Sequence, residues 1–597
     1  MPPPATEPQF NVNVDRNIRI PMRDGVELAA DFYYPDTPGR FPTLVERTPY
    51  HRAESVLLRT GTPQYLAGRG YLVVIEDVRG RYGSDGVWYP FVADGWGELR
   101  DGYDTVEWLA RHPLSNGRVG TLGGSFAGQT QMLLAPTRPP HLACSYVREA
   151  ASDMAQQWVY RGGAFELGFN LEWNLRHGQR QLTKQIDVIR TALEHKSDLY
   201  VADPLLAHPS ISEPFKWLRD CLSHPDKDGF YEPFDIETQF GQVDTPMVHM
   251  GGWFDIFLGG TLANFAGVHR HGRSARARRS QFLLLGPWTH GPSVHDPAFA
   301  RRVGDLDFGP DAVLDFNAEM LRWFDYWLRG DQKRPIDLPR VRYFLMAANR
   351  WCSAESWPPP ESQPRRLYFA RGRGRTPQSL NNGRLTPQKP TAARAADSFV
   401  YDPADPTPSI GGNTLHSLPT SGVAGNEQVP DFSATSGPRD QSPIEGHCLT
   451  YTTDPLPDDL AVVGPVRVIL FVSSSAPDTD FVAKLCDVFP DGRSIQVCDG
   501  ILRARYRQSR RRPRPLEPRK TYKIEIDLWS TAWLFQSGHR LRVVVTSSCF
   551  PRFDRNPNTG RPISSSADLR RATNTVHCDA AHSSHVVLSV MDSSVVG

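Results

Sequence analysis

The stretch that decides the fold is Gly123-Gly124-Ser125-Phe126-Ala127-Gly128, which lies between a strand-like segment, 118–122, and a helix-like segment, 130–134. A nucleophile elbow holds its serine on a sharp turn between strand and helix, and it needs small residues two places before and after that serine. The stretch matches small-x-Ser-x-small and not a strict G-x-S-x-G, because its second glycine stands one place later. A Gly-Gly-Ser turn can also be a plain connector. The strand-turn-helix context favours a nucleophilic Ser125 at the end of a buried strand.

Strand-like and helix-like segments alternate around this turn. Continuous apolar runs are typical of buried parallel strands, and apolar residues at a spacing of three and four indicate helices. The strand-like segments are 71–75, 142–147, 246–250 and 281–285, and the helix-like ones are 104–111, 258–268 and 311–328. Such alternation indicates βαβ units and a parallel sheet covered by helices.

Two other regions differ from this pattern. Residues 151–242 are rich in aromatic and charged side chains, show helical spacing at 184–195 and contain no convincing strand, so they predict a mostly helical insertion. After about residue 346, Gly/Pro/Ser-rich stretches and short alternating β-branched segments predict an all-β sandwich or jelly roll. The predicted domains are a split α/β core (1–150 and 243–348), a helical cap (151–242) and a β jelly roll (349–597).

Composition narrows the classes of partner. At 597 residues the chain is too long for one hydrophobic core, and 67 basic against 66 acidic side chains leave a net charge of +1. This balance gives no argument for nucleic acid, a membrane surface or an acidic substrate. The basic runs at 270–279 and 503–519 are expected to be solvated surface loops. We expect a small-molecule substrate, no nucleic-acid partner and no membrane partner; a homodimer stays open.

Cysteine usage and the amino terminus bear on cofactors and location. The eight cysteines are scattered, without a C-x-x-C pair or zinc-finger spacing, so we expect reduced and mostly buried thiols and no metal or organic cofactor. Residues 1–17 have neither a basic region nor an apolar core of the kind found in signal peptides, and no later stretch approaches about 18 apolar residues. These features predict a cytoplasmic protein.

A serine hydroxyl is a poor nucleophile until a base accepts its proton and an acid orients that base. Asp255 ends the stretch Gly-Gly-Trp-Phe-Asp after one predicted strand, and His290 ends Gly-Pro-Trp-Thr-His after the next. Both loops lie at carboxyl ends of sheet strands, in the order Ser, acid, His of α/β-hydrolases. Asp255 could instead cap the following helix. His295 is an alternative base, whereas His249 is disfavoured because it lies within a predicted buried strand.

Acyl transfer also needs hydrogen-bond donors aimed at the developing oxyanion. The backbone N–H of Phe126, directly after the serine, is one expected donor. The other should come from the loop Arg47-Thr48-Pro49-Tyr50 after the strand at 43–46. Tyr50 could present its phenolic O–H there, or could simply pack.

The motifs taken together resemble those of the cocaine esterase-like serine hydrolases, relatives of the α-amino acid ester hydrolases, cephalosporin acylases and X-prolyl dipeptidyl peptidases. The resemblance covers nearly the whole chain, and it is carried by the Ser125, Asp255 and His290 motifs together with the stretches 20–28, 48–50, 77–86 and 550–558. It implies an α/β-hydrolase core, an inserted helical cap and a carboxyl-terminal jelly roll. It also implies that Ser125 is the nucleophile, His290 the base and Asp255 its acid, with Tyr50 and the Phe126 N–H as the oxyanion hole.

Two departures from the family pattern are informative. The residue after the nucleophile, usually Tyr, is Phe126 here, which leaves its backbone N–H unchanged. The α-amino acid ester hydrolases place acidic residues after the catalytic Asp to bind a substrate ammonium, whereas Ile256 and Phe257 stand here. An apolar pair cannot offset the desolvation of an ammonium. The sequence therefore predicts no requirement for a free α-amino group.

Aromatic side chains of the cap and of the two acid and base motifs are candidates for the acyl pocket, and such a lining would favour aryl or long acyl groups. The candidates are Trp158, Tyr160, Phe165, Phe169, Trp173, Trp253, Phe254 and Trp288.

The leading prediction is a serine carboxylic-ester hydrolase that works through an acyl-enzyme. An amidase or acylase of the cephalosporin acylase type, or an acyltransferase, would use the same triad. A binding protein without chemistry on the same fold is a more distant alternative, since fold alone does not prove activity.

Overall fold

A computed structural model describes residues 7–178, 199–202, 205–208, 215–291, 300–330, 336–415, 435–561 and 568–592. The predicted helical segment 184–195 lies outside these ranges.

Within the described residues, a ten-stranded sheet forms the centre of the first half of the chain. Its strands are β1 (Val12–Pro21), β2 (Glu27–Pro35), β3 (Phe41–Thr48), β4 (Leu72–Asp77), β5 (Ser115–Gly124), β6 (Leu142–Arg148), β7 (Met247–Phe254), β8 (Gln281–Thr289), β9 (Val341–Leu345) and β10 (Arg350–Ala354). They lie in the order β1-β2-β4-β3-β5-β6-β7-β8-β9-β10.

The middle of this sheet, from β4 to β9, is parallel, and antiparallel strands close it on both sides. All residues of β4, β7 and β8 are buried, as expected when helices cover both faces of a parallel sheet. Because β5, β6, β7 and β8 are neighbours that run in one direction, their carboxyl ends meet at one edge of the sheet.

The helices of the described residues cover this sheet and form the cap, apart from one short helix in the second half of the chain. They are α1 (Val56–Arg59), α2 (Thr62–Ala67), α3 (Asp101–Arg111), α4 (Phe126–Leu134), α5 (Met154–Gln157), α6 (Leu167–Gly178), α7 (Lys216–Ser223), α8 (Leu258–His271), α9 (Ala275–Arg279), α10 (Phe316–Phe324) and α11 (Ser442–Glu445). No helix in the described ranges combines the length and the apolar character needed to cross a membrane.

The described part of the region between β6 and β7 is mostly helical, and it also contains a short hairpin. Tyr160–Arg161 pairs with Ala164–Phe165 around Gly162 and Gly163, whose φ angles are +54° and +92°. Two glycines with positive φ favour a tight hairpin turn, and the segment is too short to show strand periodicity in the sequence.

Two predicted boundaries differ from the structure. The helix predicted over 311–328 begins at Phe316, because the Asp315 carboxylate accepts the Ala318 N–H at 3.0 Å and caps it, and it continues as a π-helix over Asp325–Arg329. The core does not end at residue 348, because β10 pairs antiparallel with β9 and extends the first sheet to Ala354.

The rest of the chain is β-rich, as the predicted jelly-roll domain requires. In the described part, eleven strands join in one hydrogen-bonded network. They are β11 (Gln363–Ala370), β12 (Gly383–Thr386), β13 (Ala396–Tyr401), β14 (Leu449–Thr452), β15 (Leu460–Ser474), β16 (Asp480–Val488), β17 (Ser494–Arg503), β18 (Tyr522–Phe535), β19 (Arg540–Thr546), β20 (Ala572–His577) and β21 (His585–Met591). All eight cysteines are described and are free thiols, and seven are buried. The predicted fold class, an α/β core with a helical cap and a carboxyl-terminal β domain, is confirmed.

The turn between β5 and α4 is the most constrained point of the core. Ser125 has φ of 59° and ψ of −123°, an unusual conformation for a residue with a side chain. A Cβ on Gly123 would lie 2.7 Å from that of Ala127, and one on Gly128 would lie 2.2 Å from the carbonyl oxygen of Arg148. Gly128 is the glycine that stands one place later than in the strict motif. It must lack a side chain, because the backbone at the end of β6 lies against it.

We expect Gly128→Ala to destabilise the protein by about 1–3 kcal/mol, since the added methyl group must displace the backbone at Arg148. Gly229→Ala is the matched control, because a Cβ there meets nothing within 4 Å. Thermal unfolding of the two variants beside the wild type checks this; equal unfolding midpoints for all three proteins would contradict the close approach.

Candidate active site

The three predicted site residues converge at the carboxyl edge of the parallel sheet. Ser125 follows β5, Asp255 follows β7 and His290 follows β8. The His290 Nε2 atom lies 2.9 Å from Ser125 Oγ, and its Nδ1 atom lies 2.7 Å from Asp255 Oδ2. Asp255 is fully buried and His290 is 6% exposed, whereas Ser125 is partly exposed. The structure thus brings together residues that are 165 and 35 positions apart.

Asp255 also has a second structural role, and the alternative base His249 lies away from the serine. The second oxygen of Asp255 accepts the Phe257 N–H at 2.5 Å, so this carboxylate also supports the start of α8. His249 is buried within β7 and its Nε2 atom pairs with Gln281 at 2.9 Å, away from Ser125. His295 lies outside the described residues.

Charges around the imidazole favour its protonated form. Burial lowers the pKa of His290, but the carboxylates of Asp255 and Glu149 raise it by more, so that it stands above its ordinary value. The Arg148 guanidinium acts in the opposite direction. A histidine in this setting is well suited to take a proton from the Ser125 hydroxyl.

Tyr50 and Phe126 lie beside the serine, as the sequence predicted. The indole N–H of Trp173 donates to the Tyr50 hydroxyl oxygen at 3.2 Å, and that oxygen also interacts with the Ser125 side chain and the Phe126 backbone. Burial raises the pKa of Tyr50, so its phenol stays protonated. Because its oxygen accepts from Trp173, the O–H remains able to donate toward a developing negative charge.

The loop that carries Tyr50 is held from behind by the glycine-rich turn after β4. Arg81 in this turn is fully buried, and its Nε donates to the carbonyl oxygen of Pro49 at 3.0 Å. Its guanidinium also donates to the carbonyl oxygen of His177 at 2.6 Å. Arg81 therefore ties the loop that carries Tyr50 to the end of α6.

Three of the predicted pocket aromatics lie next to the site, around Phe257. The Phe257 ring is edge-on to His290 at 5.2 Å and stacks on Trp158 at 4.6 Å. Phe169 packs against Phe257 and Trp158. Trp173 contacts Trp158 and Tyr50. The roof over Ser125 is therefore aromatic and comes from the cap and the Asp255 loop.

The other five predicted aromatics are not brought to Ser125. Tyr160 packs against Phe165 and donates its hydroxyl to the Cys221 carbonyl. The Trp253 indole donates to Phe344 O at 2.8 Å, and Phe254 is buried in the same core cluster. The Trp288 indole donates to Ala312 O at 2.9 Å, on the far side of β8. The indoles of Trp253 and Trp288 are thus bound to backbone oxygens of the surrounding core, and neither lines the site.

A buried carboxylate that the sequence analysis did not single out also faces the histidine. Glu149 follows β6, is 4% exposed, and places its Oε2 atom 3.9 Å from His290 Nδ1. Glu149, Asp255 and His290 are residue types that can ligate a metal, with ligand atoms within 4.8 Å of one another. Both ring nitrogens of His290 already have hydrogen-bond partners, which favours proton transfer over metal binding as the use of this cluster.

The carboxyl-terminal domain reaches the site through Asn413. Its side-chain amide is 2% exposed and donates to the carbonyl oxygens of Trp253 at 3.0 Å and Asp255 at 2.8 Å. Gly412, just before it, exchanges two backbone hydrogen bonds with Gly437. No sequence signal marked Asn413, because it lies in a Gly/Pro/Ser-rich stretch without periodicity.

Comparisons with known proteins agree with this architecture. Family models match at residues 24–292, for X-Pro dipeptidyl-peptidase (S15 family), and at 336–587, for the X-Pro dipeptidyl-peptidase C-terminal non-catalytic domain. Cocaine esterase from Rhodococcus sp. (strain MB1 Bresler) is 34% identical over 602 residues, which cover 97% of this chain and 99% of that protein.

Two solved structures are similar over almost the full length. An aminopeptidase from the marine sediment archaeon Thaumarchaeota archaeon has a TM-score of 0.82 at 27% identity, over 99% of this chain and 98% of that one. An α-amino acid ester hydrolase has a TM-score of 0.81 at 26% identity, over 98% of each chain. With these matches, and as its motifs predicted, the chain belongs to the X-Pro dipeptidyl-peptidase (S15) family, within which it is similar to cocaine esterase.

Proposed function

We propose that this protein is a serine hydrolase that cleaves small-molecule carboxylic esters through an acyl-enzyme. The observation that carries the proposal is the continuous hydrogen-bonded chain from Ser125 Oγ through His290 to Asp255, with links of 2.9 and 2.7 Å. Its similarity to cocaine esterase over 97% of the chain supports an ester as the substrate. The cytoplasmic location and the absence of a cofactor stay predictions.

In the proposed first step, Ser125 Oγ attacks the ester carbonyl carbon while His290 Nε2 takes its proton. The Asp255 carboxylate accepts the Nδ1–H and stabilises the imidazolium. The Tyr50 O–H and the Phe126 N–H donate to the carbonyl oxygen as it becomes negative. His290 then protonates the leaving alcohol oxygen, and the acyl group stays on Ser125.

In the second step, His290 takes a proton from water, and the resulting hydroxide attacks the acyl carbon. Ser125 regains its proton and the carboxylic acid leaves. The roof formed by Trp158, Phe169, Trp173 and Phe257 supports an apolar, planar acyl group, because flat rings offer large contact area and exclude water from the acyl-enzyme.

An amidase or aminopeptidase is the second candidate, and the observation that favours it is the structural similarity to the archaeal aminopeptidase. The same triad can cleave amides, since it acts on the acyl carbon in both cases. The side chains that follow Asp255 point against a peptide amino terminus: Ile256 and Phe257 are 5% and 0% exposed and belong to the apolar cluster of the cap.

Asn413 is proposed as a positioning residue for the acid of the triad. It fixes the backbone on both sides of Phe254, and therefore the origin of the Asp255 side chain, from a domain whose family model is described as non-catalytic. A shift of about 1 Å at a catalytic group can reduce the rate about 100-fold.

Ser125→Ala should abolish covalent labelling by a fluorophosphonate probe and lower kcat for an aryl ester by about 10⁶-fold, as in other serine hydrolases that lose the nucleophile. Burst kinetics of the wild type on matched aryl esters and anilides test the ester assignment. A strong preference for the anilide would make the protein an amidase, and a folded but unlabelled wild type would exclude the enzyme proposal altogether.

Esters of phenylacetic acid and of phenylglycine form a second test, because they differ by one α-amino group. Without carboxylates after Asp255 to receive the ammonium, kcat/KM for the phenylacetyl ester should equal or exceed that for the phenylglycyl ester. Rates at pH 6 and pH 9 separate the charged from the neutral amine. A preference of tenfold or more for the charged amine would contradict this prediction.

Asn413→Ala should lower kcat about 10- to 100-fold and leave KM within about twofold. Asn574→Ala is the matched control, since Asn574 is fully buried in the same domain and its amide donates to two hydroxyl groups at 3.0 and 2.8 Å. Both variants should lose about 1–3 kcal/mol of stability, and only the first should lose turnover. Equal kcat values for the two variants would mean that Asn413 is merely structural.

A further inference from the structure

We propose that Glu149 is a positioning residue that acts as a second carboxylate on His290, sharing with Asp255 the stabilisation of the imidazolium. The proposal deepens the proposed function and rests on it, because it concerns the base of the same triad. It goes beyond a Ser-His-Asp arrangement, in which one carboxylate performs this task.

Strand order places Glu149 where it can act. β6 lies between β5, which carries Ser125, and β7, which leads to Asp255. The residue that follows β6 therefore lies between the nucleophile and the acid at the carboxyl edge of the sheet. Glu149 has a φ of +51°, in the left-handed region that residues with side chains rarely adopt. Such strain persists where the surroundings impose it, and it is concentrated at functional sites.

The contacts of Glu149 join the two strands that carry the acid and the base. Its backbone N–H donates to Met250 O in β7 at 2.7 Å. Its Oε1 atom accepts the N–H of Gly291, directly after His290, at 3.1 Å, and its Oε2 atom lies 3.9 Å from His290 Nδ1. One carboxylate therefore fixes the backbone that follows the base and faces the ring itself.

The charged groups around the ring explain what a second carboxylate contributes. Asp255, Glu149 and Arg148 act on His290, and burial together with Asp255 raises the pKa of Glu149 while His290 and Arg148 oppose that rise. Burial raises the pKa of Glu149 to about 7, and above that pH both carboxylates are ionised. The neutral ring then leaves one net negative charge among these four groups. The proton taken from Ser125 brings their net charge to zero, so Glu149 stabilises the charge that forms in the acylation step.

The position of Glu149 also excludes a role in holding a substrate ammonium. Its carboxylate faces Nδ1, whereas the reacting serine lies at Nε2, on the other side of the imidazole. The imidazole ring therefore lies between its carboxylate and the scissile bond. Its effect should therefore appear in the ionisation of His290 and not in substrate affinity.

The first experiment compares the pH dependence of kcat/KM for an aryl ester in the wild type and in Glu149→Gln. Glutamine can still accept the Gly291 N–H, but it carries no charge. The midpoint of the acid limb should fall by roughly half to one pH unit, because the imidazolium loses a neighbouring negative charge, while KM changes less than twofold. An acid limb that does not move would overturn the proposal.

Glu166→Gln is the matched control. Glu166 is 7% exposed and burial raises its pKa to about 7. Its charged neighbours are Arg552, Arg161 and Asp499 instead of His290. Its acid limb should coincide with that of the wild type; a shift equal to that of Glu149→Gln would assign the effect to general destabilisation. Glu149→Asp, which keeps the charge, should retain a midpoint nearer the wild type and serves if the glutamine variant does not fold.

The second experiment places Glu149→Gln in an Asp255→Asn background. With Asp255 neutral, Glu149 is the remaining carboxylate at Nδ1, so the substitution should lower kcat/KM by a larger factor there than in the wild type. Groups that share one task are not additive. Equal factors in the two backgrounds would show that Glu149 does not substitute for Asp255.

The rate of Ser125 labelling by a fluorophosphonate, followed against pH, separates failure of this proposal from failure of the proposed function. Labelling needs the activated serine and no ester turnover. A wild type that labels but hydrolyses no ester would refute ester hydrolysis alone, and the labelling midpoints of the variants would still decide the role of Glu149.

Discussion

The end of strand β6 holds the active site together. The carbonyl oxygen of Arg148 accepts the Ser125 N–H at 3.2 Å, and it occupies the space that a side chain at residue 128 would need. The next residue, Glu149, donates its N–H to β7 and accepts an N–H from the loop after β8. Two consecutive residues thus bind the nucleophile, acid and base strands to one another. Hydrogen bonds between neighbouring strand ends are directional, so they fix the relative positions of those ends with little freedom.

Around this polar centre, the site is closed by aromatic side chains whose packing sets the environment of the charges. Phe257 links the Asp255 loop to Trp158 and Phe169 of the cap, and Trp173 links the cap to Tyr50. Such a roof excludes water, and the interactions between charges beneath it are therefore stronger than they would be in solution. The cap therefore serves two purposes, since it shapes the acyl pocket and strengthens the electrostatics beneath it.

The same logic explains which parts of the site the sequence could predict. Ser125, Asp255 and His290 were predictable because each follows an apolar run that identifies a buried strand, and carboxyl ends of parallel strands converge. Glu149 follows such a strand as well, but no motif marks it, because it stands just before the predicted helical insertion that begins at 151. Asn413 acts across domains from a segment without periodicity. Contacts between distant segments leave no local pattern.

The pocket aromatics show a second limit with a different cause. Trp253 and Trp288 stand two places before Asp255 and His290, and proximity in sequence suggested a shared site. Both strands end before Asp255 and His290, so the direction of the strand side chains does not extend to the triad residues. Both indoles donate to backbone oxygens of the surrounding core instead. Trp158 and Trp173, by contrast, were predicted to line the pocket because the cap was expected to lie over the edge of the sheet. Placement of whole elements was thus a better guide to the pocket than adjacency to the triad.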